Sequence, residues 1–190
     1  MNRTIAKIGY APITVRAATG YTYGNVKWFD ENGGAGRNVS STPFGETYSI
    51  FGNGRMIYGG EINNGRDLEV TLIDILDDIR KDWLGEVQMS NGYMEKALST
   101  ELPRFALLVA KEKFDSNKLY EVDIYFDCQI SERRSFTDKT SENNFDPEFP
   151  TYKIKVFPTL DNKYVVWQQD LDELPTTLTT PTIPAAPATH

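Results

Sequence analysis

The sequence predicts a mainly β protein with one α-helix, a long polar loop and an extended C-terminal arm. Three observations predict it. Aromatic residues make up 12% of the chain and fall in short runs with Val, Ile and Thr, a mixture that suits pleated, half-buried surfaces. Asn-Gly pairs at Asn53-Gly54, Asn64-Gly65 and Asn91-Gly92 punctuate those runs, and both residue types tolerate the positive φ of tight turns. From Leu171 onward the chain becomes Pro-, Thr- and Ala-rich, with Pro175, Pro181, Pro184 and Pro187, and has too little to bury to fold alone. Residues 1–170 therefore read as one β domain and residues 171–190 as an extended arm.

The elements follow in order. Ile5 to Arg16 reads as a strand broken at Pro12, and Tyr21 to Phe29 as a second strand. A glycine-rich loop, Asp30 to Gly36, leads to short strands at Arg37–Ser41 and Glu46–Phe51. Arg55 to Glu61 returns after the Asn53-Gly54 turn, and Asn64-Gly65 marks a further turn. Asp67 to Leu72 alternates cleanly, with Leu68, Val70 and Leu72 on one face, as a half-buried strand does. One helix, Asp74 to Leu84, carries an apolar stripe of Ile75, Leu76, Ile79 and Trp83. Asp74 is the expected N-cap, and Gly85 ends the helix in a left-handed conformation. Val87–Ser90 and Tyr93–Lys96 form a small hairpin, and Arg104–Ala110, apolar on both faces, is a central strand. In Leu119–Ile130 the expected inward set is Tyr120, Val122, Ile124, Phe126, Cys128 and Ile130. The outward set is Glu121, Asp123, Tyr125, Asp127 and Gln129. Ser131–Pro150 is the long charged loop, and Tyr152–Phe157 and Tyr164–Gln168 close the sheet.

Charge and composition narrow the function. A chain of 190 residues with formal net charge −7 does not suit tight nucleic-acid binding, which needs clustered Lys and Arg against phosphates. It does suit a surface past which DNA slides. A single cysteine, Cys128, permits no internal disulfide, and its place on the inward face of a strand makes it a small core residue. Met1 to Val15 is interrupted by Gly9 and Pro12 and does not read as a signal peptide. No window approaches the roughly 18 consecutive apolar residues that mark a membrane span. Assembly in a cytoplasm, without a membrane anchor, is the expectation.

Few residues could carry chemistry. The carboxylates Glu121, Asp123 and Asp127 form a row in which residues two apart project from one face of a strand. Paired carboxylates can hydrolyse glycosides or hold a hard metal ion. A solvated sheet surface explains the same pattern, as does pairing with Lys153 and Lys155, which alternate on another strand. The only histidine is His190, the last residue, which argues against histidine triads and multi-histidine zinc sites. Gly33, Gly34 and Gly36 lack the Lys-Ser/Thr of a phosphate loop, and Arg133-Arg134 sits in a mixed-charge loop with Glu132, Asp138 and Lys139. The expectation is a protein without catalytic residues, metal or cofactor.

Gly45 to Asp170, about two-thirds of the chain, resembles the major tail proteins of long-tailed, non-contractile phages of Gram-positive bacteria. The resemblance runs through "YGGEINNGRDLEVTLIDI", then "IRKDWLGE", then "PRFALLVAKEK", then "YEVDIYFDCQIS" followed by a charged loop and "TYKIKVFPTL", in that order. It implies a β-sandwich or barrel-like tail tube fold with one flanking helix, and a structural virion protein with no catalytic residues. In the family, hexameric rings stack through loops and terminal arms into a tube that conducts DNA during ejection. Expected partners are further copies of the chain, a tape measure protein, a tail terminator and, transiently, the passing DNA. A conduit of this kind calls for a neutral or acidic wall, and Glu121, Asp123 and Asp127 are the candidate lumen-facing acidic residues. The C-terminal arm is expected to reach another subunit. A different class, a carbohydrate-binding β-sandwich of a phage receptor-binding apparatus, would use Trp28 and Trp167 to stack on sugars.

Overall fold

The computed structural model describes residues 4–29, 36–74, 76–96, 101–113, 118–133 and 149–181. Its strands are β1 (Ile5–Ala17), β2 (Gly20–Tyr23), β3 (Lys27–Trp28), β4 (Gly36–Gly52), β5 (Arg55–Leu72), β6 (Val87–Met89), β7 (Gly92–Met94), β8 (Phe105–Glu112), β9 (Tyr120–Ile130), β10 (Thr151–Val156) and β11 (Val166–Leu171), with one helix, α1 (Asp77–Asp82), before β6. The mainly β class holds. Nine strands form one antiparallel sheet in the order β2-β1-β8-β9-β10-β5-β4, with β3 on β1 and β11 on β9, while β6 and β7 make a separate ribbon.

β8 lies inside the sheet between β1 and β9, and its Phe105, Ala106, Leu107, Leu108, Val109 and Ala110 are all buried. Its side chains divide between two cores. Phe105, Leu107 and Val109 join the larger one, with Leu68, Val70 and Leu72 of β5, Tyr152, Ile154 and Val156 of β10, and Ile79 and Trp83 of the helix. Ala106, Leu108 and Ala110 face the smaller one, with Val122, Ile124, Phe126 and Leu178. A strand covered on both faces has no reason to alternate with polar residues, which is why it reads as a continuous apolar run.

Strand β9 departs from the single alternation expected of it. The register runs from Leu107↔Tyr125 to Phe105↔Cys128, so β9 carries one extra residue in that interval. The bulge moves Cys128 and Ile130 into the larger core with Tyr125, whereas Val122, Ile124 and Phe126 lie in the smaller one. Below the bulge β9 pairs with β11, and beyond it with β10.

Three further expectations are corrected. Asn64-Gly65 is not a turn. It lies inside the continuous strand β5, where the register slips between Phe44↔Gly65 and Gly45↔Asn63 and Gly65 adopts φ +131. The stretch Tyr21–Phe29 is split, because Gly24 N donates to Pro12 O at 2.8 Å and Val26 N to Thr176 O at 2.9 Å. Helix α1 starts later than expected: Leu76 is the N-cap, without a side-chain cap, and Asp74 is not. Burial decides this start, since Leu76 and Ile79 pack on the larger core. Ile75 lies outside the described residues. Gly85 does end the helix with φ +65.

The arm leaves the sheet later than composition implied. Leu171 still pairs with Tyr120, Trp28 Nε1 donates to Pro175 O at 2.8 Å, and Leu178 is buried in the smaller core. Residues 182–190 lie outside the described residues, as do 134–148 of the long loop and 30–35 of the glycine-rich loop. Truncation after Asp170 therefore strips Leu171, Leu174 and Leu178 from the smaller core. The expected result is a loss of at least about 2 kcal/mol, the lower end for removing a buried leucine side chain. An unchanged melting midpoint would show that the segment adds nothing to the domain.

Candidate functional site

The carboxylate row is not an open acidic surface. Glu121 and Asp127 are buried, at 5% and 0% exposure. Asp127 Oδ2 accepts from Arg16 Nε at 2.8 Å and from Tyr21 Oη at 2.7 Å, and its Oδ1 accepts from Arg104 Nη1 at 2.9 Å. Three donors, from β1, from β2 and from Arg104 just before β8, thus converge on one carboxylate at the β9 bulge. Burial first, with Asp127 adding to it, pushes the Tyr21 hydroxyl up to about 12, so Tyr21 stays a neutral donor. Asp127 serves as a structural clamp.

Glu121 and Asp123 do lie together, as expected of residues two apart. Lys111 Nζ bonds Asp123 and stands 3.6 Å from Glu121 Oε1, which also accepts from Gln168 Nε2 at 2.6 Å. β10 does pair with β9, the strand of the carboxylate row, but Lys155 stands opposite Gln129 there, and neither Lys153 nor Lys155 is in register with a carboxylate of the row. The two lysines stand in register with Glu69 and Asp67 of β5, and Lys153 Nζ lies 2.8 Å from Glu132 Oε2. The sequence pattern called for cross-strand neutralisation, and only the register shows which carboxylates supply it.

Cys128 is fully buried and burial raises its thiol far above the ordinary range, in keeping with a core role. Trp28 is half-buried against the smaller core with its indole N–H donating to Pro175 O, whereas Trp167 is 39% exposed on β11. Arg133 pairs with Glu95 at 2.7 Å, and His190, Gly33, Gly34 and Arg134 lie outside the described residues. Among the described residues no group of three or more His, Cys, Asp or Glu side chains is placed to hold a metal ion, and no helix is long and apolar enough to cross a membrane.

A further surface is formed by β4 and β5, whose sequence reads as separate short strands. β4 and β5 pair continuously from Gly36↔Leu72 to Gly52↔Arg55, but β10 supports β5 only over Arg66–Thr71. Beyond Gly65 the two strands continue as a hairpin arm. An elbow marks the departure. A Cβ at Gly45 would lie 1.7 Å from Ile62 O, and one at Gly65 would lie 2.1 Å from Val156 O. Neither position has room for a side chain. At the tip, Asn53 and Gly54 take φ 52 and 74, the left-handed pair of a two-residue hairpin turn. The arm exposes Ile50, Phe51, Met56 and Ile62, with Phe51 at 68% and Met56 at 62%. Gly60 makes room for Tyr48, whose Oη would stand 2.8 Å from a Cβ there. In the sequence the arm shows as apolar residues on both sides of Asn53-Gly54, with Arg55 the only charge between Glu46 and Glu61.

No family model matches the chain, and a search of curated proteins found no match.

Proposed function

We propose that this chain is a major tail tube protein of a long-tailed phage, a structural subunit that forms stacked, hexameric rings around a channel for DNA. The observation that carries the reading is the β4–β5 arm. A hairpin that leaves its own sheet with Ile50, Phe51, Met56 and Ile62 exposed is a surface made for a protein partner, and in a ring that partner is a further copy. The ordered sequence resemblance over Gly45–Asp170 supports it, with the tube fold, tape measure protein and tail terminator that it implies. A wall that does not hold DNA can be made by neutralisation as well as by acidity. Glu121 and Asp127 are both buried and drop out of the candidate lumen-facing set, and the remaining Asp123 is paired with Lys111, an arrangement that would offer DNA little net charge if this face lined the channel.

The test is assembly. The concentrated protein is expected to show rings or tubes by negative stain, and Phe51→Asp with Met56→Asp is expected to remain monomeric at an unchanged melting temperature. A wild-type chain that stays monomeric at high concentration, and instead retains oligosaccharides, would favour the carbohydrate-binding alternative through Trp167.

A further inference from the structure

The sequence holds four Asn-Gly pairs, at Asn32-Gly33, Asn53-Gly54, Asn64-Gly65 and Asn91-Gly92. This dipeptide is chemically reactive, because a glycine nitrogen has no neighbouring Cβ to screen it and can attack the side-chain carbonyl of the asparagine before it. The first pair lies outside the described residues. The other three asparagines are all exposed, so solvent access does not separate them. What separates them is how the glycine N–H is held.

Gly65 N donates to Asn63 Oδ1 at 3.0 Å, and Gly65 is buried so close to Val156 that a Cβ would lie 2.1 Å from its carbonyl oxygen. Gly92 belongs to the β6–β7 ladder as the partner of Met89, and the ribbon is anchored through Tyr93, whose ring centre lies 5.1 Å from the Arg80 guanidinium. Gly54 differs from both. Asn53 and Gly54 form the two-residue connection beyond the last ladder pair, Gly52↔Arg55, and a Cβ at Gly54 would meet nothing within 4 Å. They also end an arm of two strands, and two strands without a third are marginally stable. Local opening of such a tip needs little free energy, so Gly54 N meets hydroxide and the Asn53 side chain can swing onto it.

We infer that Asn53 is a site of spontaneous modification, converted by Gly54 and water to aspartate and isoaspartate in preference to Asn64 and Asn91. Hydroxide removes the Gly54 N–H proton, the nitrogen bonds to Asn53 Cγ, and the Cγ–Nδ2 bond breaks. Nδ2 takes a proton from solvent and leaves as ammonia, and a five-membered succinimide remains. Water adds to either ring carbonyl and reopens the ring, with no net oxidation or reduction. The product carries a carboxylate where an amide stood, two residues before Arg55. In the isoaspartate form the main chain runs through Cβ, is one atom longer, and no longer matches the Gly52↔Arg55 pair. On the assembly proposed above, a subunit left unassembled then loses the turn that shapes its arm tip.

Peptide mapping tests the site, because trypsin places the three asparagines in separate peptides, 38–55, 56–66 and 82–96. The full chain is held folded in mildly alkaline buffer and sampled over time. The amide-to-acid mass gain and the pair of isomers are expected in 38–55 at least about tenfold faster than in the other two peptides, the difference between an open turn and a held N–H. In urea all three should convert at similar rates. Equal rates in the folded protein, or faster conversion of Asn64 or Asn91, would overturn the site. A preference for Asn53 that persists in urea would overturn it too, since the flanking sequence and not the fold would then select. In an aged preparation the unassembled fraction should carry more converted Asn53 than the rings or tubes. Equal content in the two fractions would overturn the effect on assembly and leave the modification site standing.

Discussion

Replacing Trp83 by Ala is expected to destabilise the protein by about 3–5 kcal/mol, the range for truncating a large buried aromatic. Trp83 is 0% exposed and caps the C-terminal end of α1. Its ring stacks on Phe105 at 4.6 Å with an interplanar angle of 1°, and meets Tyr10 and Tyr152 edge-on, each at 5.6 Å. One side chain therefore joins the helix to β1, β8 and β10. Its loss leaves a cavity that rigid sheet backbones cannot close. The helix is too short to persist alone, so α1 should lose order with the contact. Urea unfolding at constant m-value measures the effect. A midpoint within error of wild type would show that the aromatic cluster does not hold the helix.

Asp127→Asn is expected to cost about as much, about 3–5 kcal/mol, by a different mechanism. The substitution conserves shape but removes the negative charge on which Arg16 and Arg104 converge, and places an amide donor among donors. Breaking a buried pair from one side leaves uncompensated charge, which costs more than the intact pair contributes. The consequence reaches beyond the pair, because Tyr21 Oη, which donates to Asp127, also accepts from Leu160 N at 3.1 Å. The clamp thus ties the β1–β2 hairpin and the 159–164 turn to the β9 bulge. A double-mutant cycle with Arg16→Met isolates the coupling. A destabilisation under about 1 kcal/mol for Asp127→Asn, as for a surface ion pair, would show that solvent reaches the cluster.

The sequence by itself determined the β class, the presence of helix α1 and the turn at Asn53-Gly54, because these depend on local rules. Period-two alternation in Asp67–Leu72 defines a half-buried strand, the run in β8 defines a doubly covered one, and Asn53-Gly54 and Gly85 supply left-handed backbone where it is needed. Tertiary structure decided everything that depends on what lies opposite. The β9 bulge reversed the faces of Cys128 and Ile130 and turned Asp127 from an outward carboxylate into a buried clamp; one extra residue does this, and no alternation pattern reveals it. Register assigned Lys153 and Lys155 to Glu69 and Asp67. Burial of Leu178 made the first part of a proline-rich arm a cover for its own core. The β4–β5 arm is the clearest case. Its apolar residues read locally as strand core, yet a residue is core only if a partner element stands over it, and beyond Gly65 β4 and β5 pair only with each other among the described residues.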